Sequence, residues 1–187
     1  MLFSGILVPG GFGERGIQGL ILAIKWAREQ NRPFLGICLG FQLAVVEWAR
    51  HIVNLPGPQS LSPSSTHHVD FFAGSMSTEF VSEPVDSVVI FMPEISRTHM
   101  GGTMRLGLRP TVFQKDSEWS RIRKLYGGAS VVWERHRHRY EVNPAYVERL
   151  HTSGLAFIGR DEKGERMQIM ELPSKSSALP PTLRFIH

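Results

Sequence analysis

The residue with the clearest potential for chemistry is Cys38, within the run Gly36-Ile37-Cys38-Leu39-Gly40. An apolar segment of strand length precedes it and a segment with helical periodicity follows, a context typical of a nucleophile elbow. The neighbours of so sharp a turn tolerate only glycine. Unpaired N–H groups and the helix dipole would favour the thiolate there. We therefore expect Cys38 to be an exposed, anion-favoured nucleophile rather than a small buried hydrophobe, with the N–H of Leu39 pointing at an oxyanion.

A second loop suited to a functional edge is Pro9-Gly10-Gly11-Phe12-Gly13, which follows the first apolar run. Ligands of open α/β sheets bind beyond the carboxyl ends of the strands, so this loop and the Cys38 turn should share one edge. An N–H of Gly10 or Gly11 is a candidate second oxyanion donor. The loop is not a dinucleotide fingerprint, because it lacks G-x-G-x-x-G and a later acid.

Hydrophobic spacing predicts the elements that carry these loops. Residues 3–8 and 34–38 are apolar runs of strand length, whereas residues 15–30 and 39–50 repeat apolar residues at helical spacing. This order is a βαβα unit, which predicts an α/β fold on an open, mostly parallel sheet flanked by helices.

The rest of the chain is predicted to be β-rich. Residues 54–76, rich in Pro and Ser, are expected to form a flexible insertion, and residues 173–187 a divergent tail without periodicity. We treat residues 1–187 as a single domain. The predicted strands of this half are Ser87–Met92, Thr103–Phe113, Val131–Val142, Leu155–Arg160 and Met167–Leu172.

The composition limits the class of protein and the cellular compartment. Of 187 residues, 42% are hydrophobic and 20% charged, which favours a folded core over disorder. The single cysteine excludes a disulfide within the chain. There is neither a signal peptide nor an apolar run of the roughly 18–20 residues that span a bilayer. We expect a cytoplasmic protein without a membrane partner.

Several stretches resemble a known family. Residues 5–13 and 33–42 are similar to the glutaminase domain of class I, triad-type glutamine amidotransferases, and further stretches resemble the CTP synthase family among them. The resemblance runs from about Gly5 to Leu172, interrupted at residues 54–75. The further stretches are Ser77–Phe80, Met92–Glu94, Gly101–Gly107, Leu125–Gly127, Glu134–Pro144 and Gly164–Met167.

The resemblance implies hydrolysis of glutamine by attack of a Cys38 thiolate on the side-chain amide. Gly11 and Leu39 match oxyanion-loop and substrate positions of the family. Residues that hold the glutamine are matched by Gln42, Glu79 and Arg139. The chemistry agrees, because an α-ammonium group suits a carboxylate and an α-carboxylate suits a guanidinium.

The resemblance also implies partners. The ammonia would pass to a synthetase domain, absent here, that uses ATP and Mg to aminate UTP to CTP. We expect no cofactor and no metal site in this chain. The expected partners are L-glutamine, that synthetase domain and, in the intact enzyme, further copies of the same protein.

The sequence departs from the family at the catalytic base. Such domains carry a His-Pro-Glu run soon after the strand matched by Met167–Leu172, and this chain has no such run. An earlier strand and helix of the family are also missing, so the domain is interpreted as truncated. We do not assign His187 as the base. We expect impaired hydrolysis; alternatively, the chain is an inactive remnant that serves as a binding or assembly module.

The basic run Arg135-His-Arg-His-Arg-Tyr140 permits two further interpretations. Arginines beside a tyrosine suit nucleic acid, but Glu134 and Glu141 bracket the run, so no nucleic-acid partner is expected. On a strand the histidines would share one face and the arginines the other. His136 and His138 are half of a metal site at most, because no third ligand has motif spacing. Structural histidines are the preferred interpretation.

Overall fold

A computed structural model describes residues 5–13, 15–55, 75–80, 86–92, 105–173 and 183–186. These residues form ten strands and four helices. The helices are α1 (Ile17–Glu29), α2 (Leu39–His51), α3 (Arg121–Leu125) and α4 (Pro144–Thr152). The strands are β1 (Ile6–Val8), β2 (Phe34–Ile37), β3 (Met76–Ser77), β4 (Ser87–Phe91), β5 (Arg105–Phe113), β6 (Val131–His138), β7 (Tyr140–Val142), β8 (Ala156–Arg160), β9 (Met167–Glu171) and β10 (Leu183–Ile186).

The strands form two sheets. A seven-stranded sheet has the order β1-β2-β10-β9-β8-β5-β6, and a three-stranded sheet has the order β3-β4-β7. The predicted α/β class, with a β-rich second half, is confirmed. The larger sheet is mixed rather than mostly parallel. Its parallel pairs are β1–β2 and β2–β10, whereas β10–β9, β9–β8, β8–β5 and β5–β6 are antiparallel, because the second half supplies strands without crossover helices.

The predicted tail contributes a strand to the middle of this sheet. β10 lies between β2 and β9, and Ile186 is the register partner of Ile37, the residue before Cys38. The sequence predicts only a divergent tail without periodicity there, and residues 183–186 of it form β10. Residues 174–182 and His187 lie outside the described residues.

Helix α2 is the centre of the hydrophobic core. Every residue from Leu39 to Ala49 is buried, and the helix packs against α1 and against strands of both sheets. A helix that is buried on all sides is held in place by its neighbours, and so is the residue at its start. Cys38 immediately precedes this helix, so the core itself locates the thiol.

The ends of the predicted insertion belong to the core. Leu55 is buried and its N–H donates to the carbonyl of Ala49, while Ser75 and Met76 are buried and Met76 begins β3. Residues 56–74 lie outside the described residues, so flexibility there stays a prediction. Among the described helices, none has the length and apolarity needed to span a membrane.

Candidate active site

Cys38 has the backbone geometry of a strained turn. Its φ of 53° and ψ of −102° lie outside the helical and extended regions, at the junction of β2 and α2. Gly40 permits this junction because a Cβ there would lie 2.4 Å from the carbonyl oxygen of Val8 on β1. The first turn of α2 thus packs directly on the backbone of β1, and the predicted elbow geometry is present.

Among the residues that the structure describes, Cys38 lines two cavities. The smaller, about 200 Å³, is lined by Gly11, Phe12, Cys38, Gln42, Glu79, His138, Arg139 and Tyr140. The larger, about 520 Å³, is lined by Gly10, Gly11, Phe12, Ile37, Cys38 and residues 134–138. Both carboxylate and guanidinium groups thus reach the space beside the sulfur.

Five of the six residues singled out in the sequence line the smaller cavity. The structure brings Gly11, Cys38, Gln42, Glu79 and Arg139 together around it. Leu39 is the exception, since its side chain is buried outside the cavity lining. Its backbone N–H nevertheless faces the sulfur of Cys38, where its hydrogen bond lowers the pKa of the thiol.

The glycine loop packs closely on the elbow. A Cβ on Gly10 would lie 3.4 Å from Cβ of Cys38 and 3.9 Å from its Sγ, and a Cβ on Gly11 would lie 3.1 Å from Cδ2 of Leu39. A Cβ at Gly10 would make ordinary van der Waals contact with Cys38, whereas a Cβ at Gly11 would be tight against the side chain of Leu39. The two loops share one edge, as expected for the carboxyl ends of neighbouring parallel strands.

The electrostatics of the thiol differ from the expectation. Burial raises the pKa of Cys38; the N–H bond from Leu39 lowers it, and the negative charge of Glu79 raises it further. The net direction is upward, so the expected anion-favoured thiol is not found. One N–H group does not offset desolvation together with a neighbouring carboxylate.

Glu79 is held in a short turn after β3. Its N–H donates to Oγ of Ser77 at 3.2 Å, and the N–H of Thr78 donates to the carbonyl of Val89 on β4 at 3.0 Å. Burial raises the pKa of Glu79 to about 6, although Arg139 opposes the rise. The carboxyl and guanidinium groups therefore interact across the cavity.

Arg139 occupies a corner between the two sheets. β6 ends at His138 in the larger sheet and β7 begins at Tyr140 in the smaller one, so Arg139 is the single residue between them. The carbonyl of Arg139 accepts a hydrogen bond from the N–H of Met92 at 2.9 Å. This corner interrupts the expected alternation of faces, and Arg139 lines the smaller cavity together with both of its neighbours.

Three residues in the wall of the smaller cavity were not predicted from the sequence, namely Phe12, His138 and Tyr140. Phe12 and His138 each line both cavities, and neither was selected as a site residue. Their proximity in sequence to predicted site residues could have identified them, because Phe12 follows Gly11 and His138 precedes Arg139. Within the described ranges, no group of three or more His, Cys, Asp or Glu side chains is arranged to hold a metal ion.

Comparisons with known proteins agree with this geometry. Residues 1–179 match the family model described as glutamine amidotransferase class-I. CTP synthase 2 of Saccharomyces cerevisiae is 56% identical over 173 residues, 90% of this chain and 27% of the relative. CTP synthase of Schizosaccharomyces pombe is 54% identical over 168 residues, 90% of this chain and 25% of the relative. The chain thus spans about a quarter of the length of these relatives.

A solved structure extends the likeness to three dimensions. The glutaminase domain of Trypanosoma brucei CTPS with bound acivicin superposes with a TM-score of 0.78 at 33% identity, covering 98% of this chain and 61% of that chain. The resemblance read from the sequence is therefore confirmed as similarity to the glutaminase region of CTP synthases. Since the family model matches nearly the whole sequence, the chain belongs to the class-I glutamine amidotransferase family.

Proposed function

We propose that this chain binds L-glutamine in the smaller cavity and hydrolyses its side-chain amide with Cys38. The observation that carries the proposal is that one cavity is lined by a thiol, a carboxylate and a guanidinium, from Cys38, Glu79 and Arg139. Glu79 would bind the α-ammonium group and Arg139 the α-carboxylate. Gln42, buried on the first turn of α2, would contact the remaining polar atoms of the substrate.

The chemistry follows from these positions. The sulfur of Cys38 attacks the amide carbon, and the carbonyl oxygen becomes an oxyanion that the N–H of Leu39 and an N–H of the Gly10-Gly11 loop would stabilise. The C–N bond breaks, and the nitrogen leaves as ammonia with the proton that the thiol has lost. Water then attacks the γ-glutamyl thioester, releasing glutamate and restoring the thiol.

The role in CTP synthesis extends this proposal beyond the chain. By its similarity to CTP synthases, we propose that the ammonia serves the ATP- and Mg-dependent amination of UTP to CTP by a synthetase domain. That domain and further copies of the protein would be its partners. A cytosolic location stays a prediction, as does the expectation that this chain itself carries no cofactor.

A second function is favoured by two observations at the same site. The sequence has no His-Pro-Glu run, and the pKa of Cys38 is raised by burial. A thiol without its base loses on the order of 10⁴- to 10⁶-fold in turnover. A chain that binds glutamine with negligible hydrolysis would act as a binding or assembly module.

Ammonia release from L-glutamine distinguishes the two functions. We expect slow release from the wild-type chain and none above background from Cys38→Ala, with Ser130→Ala, a substitution outside both cavities, as a control for handling. Equal rates in the wild type and Cys38→Ala would exclude catalysis by this chain. Glutamine binding without Cys38-dependent release would support the binding module.

A further inference from the structure

One wall of the larger cavity is formed by two imidazoles to which the proposed reaction assigns no role. His136 and His138 are 3% and 4% exposed, whereas Arg135 and Arg137 of the same strand face solvent. Both imidazoles line the larger cavity, and His138 lines the smaller one as well. Buried ring nitrogens need defined hydrogen bonds, because an unsatisfied buried polar group is costly.

The contacts of the two rings assign their tautomers. Nδ1 of His138 lies 3.2 Å from the carbonyl oxygen of Tyr140, and Nε2 of His138 lies 3.3 Å from Nδ1 of His136. Since a carbonyl oxygen only accepts, Nδ1 of His138 must carry the proton in this hydrogen bond. In the neutral ring Nε2 is then the acceptor, and Nδ1–H of His136 donates to it.

These hydrogen bonds span the corner at Arg139. The imidazole of His138, the last residue of β6, holds the carbonyl of Tyr140, the first residue of β7. The carbonyl of Arg139 itself is held by the N–H of Met92. Two consecutive carbonyls are therefore fixed, and with them the backbone from which the Arg139 side chain projects toward the cavity.

We propose that His138 is a positioning residue, with its tautomer set by His136, that directs the Arg139 guanidinium and thereby determines affinity for glutamine. The inference rests on the proposed function, because it assumes that Arg139 binds the α-carboxylate. His138 acts through the backbone of the corner. Its loss therefore weakens binding of glutamine.

The test measures protection of Cys38 from iodoacetamide by L-glutamine, which reports binding without turnover. In His138→Asn the side-chain amide N–H occupies the place of Nδ1–H, whereas His138→Gln places its amide near Nε2 and His138→Phe keeps only the ring shape. The glutamine concentration that gives half-protection should be within about threefold of the wild-type value in His138→Asn. It should be about tenfold higher in His138→Gln and His138→Phe, as for the loss of one hydrogen bond. Because His138 lines the cavity beside Cys38, the protection in each variant is expressed relative to the alkylation rate of the same variant without glutamine.

Two results would overturn the inference. One is protection by glutamine in His138→Gln and His138→Phe that equals the wild type. The other is glutamine binding by His138→Asn that is as weak as in the Gln and Phe variants, which would show that the donor at Nδ1 is irrelevant. His136→Asn against His136→Phe repeats the comparison at the second ring, should His138 variants fail to fold.

Nitrogen-15 NMR of the histidine rings supplies a readout that needs no glutamine. We expect the Nδ1–H tautomer in both His136 and His138, and the Nε2–H tautomer of His138 would contradict the inference. If glutamine fails to protect the wild type while the tautomers are as assigned, the proposed function is at fault and the geometry of the corner stands.

Discussion

Gly40 lies so close to β1 that a Cβ on it would be 2.4 Å from the carbonyl oxygen of Val8. Because that oxygen belongs to the backbone of a strand in the sheet, it cannot move aside as a flexible side chain would. The contact makes the position of Cys38 depend on the packing of α2 against β1.

Gly40→Ala is predicted to destabilise the fold by about 2 kcal/mol, which is an overpacking cost of about 3 kcal/mol less a gain in helix propensity of about 1 kcal/mol. Denaturant unfolding measures the change. Gly19→Ala is the matched control, since Gly19 is on the exposed side of α1 with no atom within 4 Å of its Cβ position. It should stabilise by up to about 1 kcal/mol. Equal effects of the two substitutions would contradict the close contact.

Glutamine binding is predicted to weaken in acid. Burial raises the pKa of Glu79 to about 6, so its carboxylate, and its attraction for an α-ammonium group, is lost as pH falls through that value. Half-protection of Cys38 by glutamine should require more glutamine at pH 5 than at pH 8. Glu79→Gln should bind glutamine weakly, and the glutamine concentration that gives half-protection should not change between pH 5 and pH 8.

The exposed carboxylate of Glu118 provides the control for this pH dependence. Glu118→Gln should retain the wild-type profile, because the residue lies outside both cavities. A Glu79→Gln variant that keeps the wild-type pH dependence would show that another group causes it.

The reactivity of Cys38 is predicted to rise when Glu79 loses its charge. Burial raises the thiol pKa, and the Glu79 carboxylate raises it further. Removing a negative charge favours the thiolate, so Glu79→Gln should shift the pH midpoint of Cys38 alkylation downward, measured without glutamine. An unchanged or higher midpoint would contradict the interaction between the two groups.

The pair of helices behind the site depends on a buried ion pair. Arg28 on α1 donates through Nη2 to Glu47 on α2 at 2.7 Å and through Nε at 3.1 and 3.2 Å, and the Glu47 side chain is 1% exposed. Arg28→Met would remove the guanidinium and leave the carboxylate 3.2 Å from the imidazole Nδ1 of His51. We predict a loss of about 3 kcal/mol, the low end for breaking a buried pair.

Thermal unfolding checks this prediction, with an expected fall in Tm of about 6–12 °C. Lys25→Met is the matched control, because Lys25 forms a more exposed pair with Glu29 at 3.7 Å and should change Tm little. The double variant Arg28→Met/Glu47→Leu should recover part of the loss, since no buried charge remains. A fall as large for Lys25→Met would show that burial is not the cause.

The first half of the fold was predictable because local patterns decide it. Periodicity located α1 and α2 to within two residues at either end, and the glycines around Cys38 indicated the turn between β2 and α2. Such signals lie within a few residues of one another and need no knowledge of distant partners.

The second half depended on contacts that no local pattern encodes. β10 follows a Pro- and Ser-rich stretch and acquires its structure from β2 and β9 on either side. Helix α4 was missed although Asn143 caps it and Pro144 begins it, a recognisable start signal. The corner at Arg139 was missed because Val131–Val142 has the composition of one continuous strand. The pKa of Cys38 likewise depends on Glu79, which is distant in sequence.

The most direct test of the central claim is mass spectrometry of the chain after exposure to a glutamine-mimicking electrophile. The account predicts a single adduct on Cys38, slowed by L-glutamine and slowed less in Arg139→Ala, because the cavity recognises the amino-acid end of the ligand. Absence of an adduct on Cys38, or labelling that glutamine does not slow, would contradict a glutamine site at this cysteine.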